Sequence, residues 1–321
     1  MKVYRNINEI AARKPERTVV TVGTFDGVHV GHQRVINQLV REAKSIDGES
    51  VVITFDPHPR TVVQPGFDLR LIISMDEKIR LLEKLSVDHF VIVHFTLELA
   101  RTSSHDFLTN YILTPLQPKK IILGYDHHFG KNREGGIEFL NEMSREHDFE
   151  VRQIGMQDVK DVAVSSSKIR EAIRRGDMKQ ARELLGYYYS LTGTVVKGNQ
   201  IGRHLGFPTA NIQLDEPRKI IPKYGVYATL IEIDGKYHKG MSNIGIRPTL
   251  DLHQLTVEVN IFDFAEDIYG RKITLYFLEH TREEKKFRDL DLLRRRLIID
   301  QIKVKKILGE NSENGAGEPP L

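Results

Sequence analysis

Over roughly the first 185 residues, short and nearly continuous apolar runs alternate with amphipathic stretches. TVVTVG (18–23), SVVITF (50–55), HFVIVHF (89–95), KIILG (120–124) and FEVRQIG (149–155) read as strands buried on both faces. Between the first two, Ile36, Leu39, Val40 and Ala43 fall at the i, i+3, i+4, i+7 spacing of a helix. Further on, Ser74 and Glu77 form a capping-box pattern ahead of Ile79, Leu82 and Leu85. Strands alternating with helices predict βαβ units and a parallel sheet covered by helices on both faces. Ligands of such sheets bind where the strands end, so the loops leaving those strands are the ones to search.

Two short helices are expected next: SKIREAIRR, stopped by Gly176, and MKQARELL, capped by Asp177 with Gln180 and stopped by Gly186. From about residue 188 the period changes. YGVYATLIEI and KYHKGMSNI flank Asp234-Gly235, a two-residue hairpin signal, and TVEVNIFDF and KITLYFLEH add strands. A small antiparallel β-barrel is the expectation. A closing helix should pack on it through Phe287, Leu290, Leu293 and Leu297. The division is therefore 1–186, 187–308 and a polar, Gly/Pro-rich tail, 309–321, expected to be disordered.

Composition narrows the classes. With 321 residues the chain suits two domains, and a net charge of +3 argues against a dedicated nucleic-acid binder. The Arg294–Arg296 and Lys303, Lys305, Lys306 clusters lie on the closing helix and read as a solvated face. There is no cysteine, which excludes disulfides and thiolate chemistry and fits a reducing cytoplasm. No signal-peptide core and no membrane-length apolar run occur, so neither membrane nor export is expected. Weak self-association stays open.

The chemistry concentrates in two segments. Gly23-Thr-Phe-Asp-Gly-Val-His-Val-Gly-His32 leaves a strand and enters a helix, where glycines allow close backbone approach and free N–H groups face an anion. His29 and His32, three apart, project to one side. A helix start alone is worth only about 0.3–1 kcal/mol, so imidazoles, Mg²⁺ and further cations must supply the rest. The spacing is neither the GxGxxG fingerprint nor a Walker A loop. In the second half, Gly202-Arg-His-Leu-Gly-Phe-Pro-Thr-Ala-Asn211 ends in oxygen-bearing side chains suited to Mg²⁺, and Thr256, Glu258 and Asn260 share a strand face. A carboxylate there suits a base for an alcohol attacking a γ-phosphate.

GTFDGVHVGH resembles the signature of the HxGH nucleotidyltransferases. FDPHP (55–59), GYDHHFG (124–130) and VSSSKIR (164–170) narrow the resemblance to the FMN adenylyltransferase module of bacterial bifunctional riboflavin kinase/FAD synthetases. GRHLGFPTAN, YGVYA, GMSNIGIRPT, VEVNIFDF, DIYG and REEKKF follow in the order of that family's kinase module. The resemblance spans nearly the whole chain except the tail.

It implies a Rossmann-like adenylyltransferase domain followed by a β-barrel kinase domain with a C-terminal helix. ATP is the co-substrate, Mg²⁺ the cofactor, and riboflavin, FMN and FAD the substrates and products. Gly23, Phe25, Asp26, Gly27, His29, His32, Ser165, Ser166, Ser167 and Arg170 would bind the ATP phosphates of the first site. Phe55, Asp56, His58, Gly124, Asp126 and Phe129 would hold flavin and nucleotide there. In the kinase, Gly202, Arg203, Gly206, Pro208, Thr209 and Asn211 would hold ATP, with Thr209 and Asn211 on Mg²⁺. Arg247, Glu284 and Phe287 would contact flavin, and Glu258 would be the base. The chain departs from the family's usual residues at His127, Ser167 and Asn260. A non-catalytic flavin or nucleotide sensor is the rival class, against which the pairing of His29, His32, Thr209 and Asn211 with a base stands. A nucleotidyltransferase for another phosphate-bearing substrate is the rival among enzymes.

Overall fold

The computed structural model describes all residues except 126–128, 132–133, 156–163, 199–201, 203–204, 249–252 and 314–321; the side chains of 247–248, 253–254 and 310–313 are likewise outside the description. The expected loop residues Asp126, His127 and Arg203, and the side chain of Arg247, therefore lie outside the described residues. Two compact units result, Met1–Ser166 and Ser167–Leu321. The two short helices (Ser166–Arg175 and Met178–Leu185) thus group almost wholly with the second unit, some twenty residues ahead of the expected border.

In the first unit six strands form one parallel sheet: β1 (Lys2–Tyr4), β2 (Val19–Val22), β3 (Ser50–Asp56), β4 (His89–His94), β5 (Lys120–Leu123) and β6 (Glu150–Gln153), in the order β1-β4-β3-β2-β5-β6. The five expected strands are present and every pairing is parallel, but β6, at the edge of the sheet, is mostly exposed and not buried on both faces as expected. β1 went unread because KVY is too short for a pattern to show. Ile36, Leu39, Val40 and Ala43 of the helix Val30–Ser45 are buried, as their spacing requires. The Ser74–Glu77 capping box opens the helix Met75–Lys84, with both reciprocal hydrogen bonds present. β2 sits centrally, with β3 on one side and β5 on the other. The order reverses at β2, and the crevice above its carboxyl end is where such a sheet takes its ligand.

The second unit is a closed barrel of β7 (Ser190–Val196), β8 (Ala210–Leu214), β9 (Gly225–Ile233), β10 (Lys236–Pro248), β11 (His253–Ile261) and β12 (Lys272–Arg282), ordered β10-β11-β8-β7-β12-β9. Asp234 and Gly235 turn the β9–β10 hairpin with φ of 49° and 77°, as the dipeptide signals. The closing helix, Leu290–Glu313, corrects three expectations. It packs through Leu297, Val304, Ile307 and Leu308, whereas Leu290 is 59% exposed. Its core-facing stripe includes Asp300, a buried carboxylate held by Arg282 and Arg296, so hydrophobicity alone set the stripe too early. Arg296 correspondingly is not simply a solvated charge. The helix also runs five residues into the stretch expected to be a disordered tail.

Candidate functional sites

The loop 23–29 leaves β2 through a close hydrogen bond from the Gly23 N–H to the Ile53 carbonyl (3.0 Å). Phe25, Gly27 and Val28 all have positive φ, 45°, 89° and 33°. Two of them carry a Cβ, a strain of about 1–3 kcal/mol each that only surrounding contacts can maintain. Those contacts are visible. The Asp26 carboxylate accepts from the N–H groups of Ile72 (3.1 Å) and Ile73 (3.5 Å). The Asp26 carbonyl accepts from the Ser166 hydroxyl (2.9 Å). Lys78 reaches up from the helix Met75–Lys84 to donate to the Thr24 carbonyl at 2.6 Å, with the Thr54 hydroxyl at 3.5 Å.

The loop ends at His29, the N-cap of the helix Val30–Ser45, whose Nδ1 accepts from the His32 N–H (3.3 Å). Its ring stacks on that of His32, centroids 3.6 Å apart and 15° between planes, and Phe25 meets His32 edge-on at 5.2 Å. Burial pushes the His29 pKa down from 6.5 to about 4. His29 is therefore neutral near pH 7. With Nδ1 accepting, its proton sits on Nε2, which makes it a hydrogen-bond donor and not a fixed cation. A cation stands behind the loop: Lys78, whose pKa burial lowers to about 8, against the opposing pull of Asp26 and Asp56.

Several expected ligand residues have structural tasks. Asp26 ties the loop down, as above. Phe55 packs edge-on against Phe95 (5.4 Å) and tilted against Phe107 (6.0 Å). Phe129 is buried, its backbone bridged to Gly135. His58 caps the short helix Pro59–Val63 by accepting from the Arg60 N–H (3.2 Å). Asp56 ends β3 and Gly124 follows β5, both at the carboxyl edge of the sheet. Ser165 and Ser166 belong to the first unit, whereas Ser167 and Arg170 fall in the second. Lys78 escaped the sequence reading because an amphipathic pattern assigns a lysine to solvent.

In the barrel, Glu258 on β11 lies opposite Asn211 on β8. The Thr209 hydroxyl donates to Glu258 Oε2 at 3.4 Å. The Asn260 amide, buried on the same strand, donates to the Pro208 carbonyl at 2.7 Å and so fixes the residue preceding Thr209. Gly202 accepts from the N–H groups of Leu205 (3.1 Å) and Phe207 (2.8 Å), and Gly206 has φ of 82°, which folds the loop over itself. Glycines missed in sequence admit the acidic and amide groups: a Cβ at Gly198 would meet the Asn211 amide at 2.1 Å, and one at Gly245 the Glu284 carboxylate at 2.1 Å. Phe287, with Arg282 above its ring at 5.9 Å, lines a cavity of roughly 360 Å³ together with Glu284 and Arg296.

The donors at Thr209, Asn211 and Glu258 are all oxygen, which suits a hard cation shared with phosphates and water. Because Thr209 donates its proton to Glu258, its lone pairs stay available to a cation. Among the described residues no cluster of three His, Cys, Asp or Glu forms a closed metal cage.

A model for FAD synthetase matches residues 11–168 and one for riboflavin kinase matches residues 185–308. The bifunctional riboflavin kinase/FMN adenylyltransferase of Listeria monocytogenes is 36% identical over 88% of this chain and 90% of its own. The chain belongs to the bifunctional riboflavin kinase/FMN adenylyltransferase family. The Escherichia coli member is 31% identical over 96% of this chain and 98% of its own. A crystal structure described as a macrolide-efflux protein from Streptococcus pneumoniae superposes with a TM-score of 0.86, at 31% identity, over 95% of this chain and 98% of its own. No helix among the described residues is long and apolar enough to cross a membrane. The order of the two family modules matches the order of the two sites, adenylyl transfer first and kinase second.

Proposed function

We propose that the residues assembled at the two sites divide one biosynthetic route between them. In the barrel, Glu258 takes the proton of the riboflavin 5′-hydroxyl as its oxygen attacks the γ-phosphorus of ATP, and ADP leaves. Gly202, Gly206, Pro208 and Thr209 form the bed for the nucleotide, and Thr209 and Asn211 would hold Mg²⁺. Bound there, Mg²⁺ would neutralise developing phosphate charge. Glu284 and Phe287 would border the flavin. In the first unit, an FMN phosphate oxygen attacks the α-phosphorus of ATP, the bond to the β-phosphate breaks, and pyrophosphate leaves with FAD formed. No protein nucleophile is needed. Catalysis there comes from holding the two phosphates in line and from donors aimed at the charge that develops. His29 Nε2 and His32, at the helix start, serve as those donors. The enzyme works in the cytoplasm, a reading supported by the cysteine-free sequence.

The observation that supports this reading is that each compact unit brings its own candidate residues together: the stacked His29–His32 pair in one, and Thr209 against Glu258 in the other. Purified protein with riboflavin, ATP and MgCl₂ should give FMN and then FAD, resolved by chromatography. Replacing His29 and His32 together by Ala should stop the sequence at FMN. Glu258→Gln should make no FMN yet still convert supplied FMN to FAD. Loss of both activities from either folded variant would overturn the division of labour.

A further inference from the structure

We propose that Lys78 is a positioning residue of the adenylyl-transfer site, holding the phosphate loop in its ligand-ready form from behind and setting a positive charge beneath the triphosphate. The proposal rests on the reading of His29 and His32 as the ATP site. Lys78 is 6% exposed, so it does not meet substrate itself, and its ammonium is committed to the loop through the 2.6 Å bond to the Thr24 carbonyl. In a trans peptide the C=O and the following N–H point in opposite directions. Drawing the Thr24 carbonyl towards Lys78 therefore turns the Phe25 N–H away from it, towards the loop's outer side. The Thr54 hydroxyl donates to the same carbonyl at 3.3 Å and keeps it from swinging back. Phe25 then enters its left-handed conformation, and the loop delivers His29 to the helix start.

A buried ammonium is costly to keep, and a methionine would fill the same space without that cost. Its presence behind a phosphate-type loop is accounted for by charge acting across the loop, since the low-dielectric surroundings screen it little. The charged groups that face it are Asp26, from the loop itself, and Asp56, from the end of β3. Asp26 is also bonded to the N–H groups of Ile72 and Ile73, so part of its charge is already answered. His29 stays neutral above about pH 4 and adds no competing titration in the alkaline range.

The test follows kcat/KM for ATP in FAD formation from supplied FMN between pH 7 and 10, with FMN formation by the same chain as the internal reference. The native protein should show an alkaline fall with its midpoint near pH 8, where Lys78 loses its proton, absent from the kinase reaction. Lys78→Arg cannot lose its charge in this range and should remove that fall while keeping much of the activity. Lys78→Met should lower FAD formation about 10²-fold at pH 7, the scale expected when a reacting group is misplaced by about an ångström. A profile flat to pH 9.5 in the native protein, the same fall in Lys78→Arg, or native turnover in Lys78→Met would each overturn the proposal. Absence of FAD at every pH, with FMN still formed, would instead overturn the adenylyl-transfer reading on which it stands.

Discussion

Replacing Gly202 by alanine probes the kinase loop through a single methyl group. A Cβ there would lie 2.2 Å from the Phe207 carbonyl oxygen and 3.4 Å from the Thr209 hydroxyl. The first distance falls more than an ångström short of ordinary contact, and the obstacle is backbone, which no rotamer change removes. Gly202 and Phe207 must move apart, stretching the bonds from the Leu205 and Phe207 N–H groups to the Gly202 carbonyl (3.1 and 2.8 Å). Those bonds and the overpacking together cost about 1–3 kcal/mol of barrel stability. The functional cost is of comparable size, about 2.7 kcal/mol for a hundredfold loss, because Thr209 sits two residues past Phe207 and its placement against Glu258 depends on the same fold-back. A shift of about 1 Å at a positioning group costs roughly 10²-fold in rate. Gly202→Ala should therefore lower FMN formation about a hundredfold, with conversion of supplied FMN to FAD unchanged. Both rates come from one chromatographic assay on the full chain. A kinase rate within threefold of native would show that the close approach at Gly202 does not govern the loop.

The His29 ring should give the first unit an acid-sensitive stability. Its folded pKa of about 4 lies below its unfolded 6.5, so its contribution is complete above pH 6.5 and is lost as pH falls towards 4, about 3 kcal/mol in all. His29→Asn keeps a capping acceptor but does not titrate, and should flatten this slope in chemical denaturation followed between pH 4 and 7. In the barrel, Asp300→Ala leaves the Arg282 guanidinium without its buried partner and should cost about 3 kcal/mol. The midpoint of urea inactivation of the kinase reaction reports it, and a midpoint equal to native would contradict the buried pairing.

The parts of the fold that announce themselves in sequence are those in which local preference and burial agree. The helix face of Ile36, Leu39, Val40 and Ala43, the Ser74–Glu77 cap and the Asp234-Gly235 turn are examples. β7 and β8 are not readable in the same way: β7 alternates but gives one of its inward positions to Gly193, ANIQL buries only Ile212, and both depend on barrel partners distant in sequence. The same limit applies at the sites. His29, Thr209 and Glu258 are legible because their residue types match a chemistry. Lys78 and Asp300 are buried charges whose solvation is replaced at least in part by partners on other elements, the Thr24 carbonyl for one and Arg282 for the other, which sequence proximity does not signal. Phe55 and Phe129 carry a packing role that the motif does not signal, since an aromatic inside a binding motif can equally serve the core beneath it.

The closure of the barrel sets a schedule for synthesis. All the described strands of the first unit have been made by Gln153, so that sheet can assemble while later residues are still being added. β7 pairs with β12, which begins about eighty residues downstream. At about 5–20 residues per second, one edge of β7 waits several seconds for its neighbour, and the covering helix comes later still. A growing chain therefore passes through a stage with the adenylyl-transfer half folded and the kinase half open. Ribosome pausing or truncation upstream of Lys272 would leave exposed strand edges that could pair with other nascent copies.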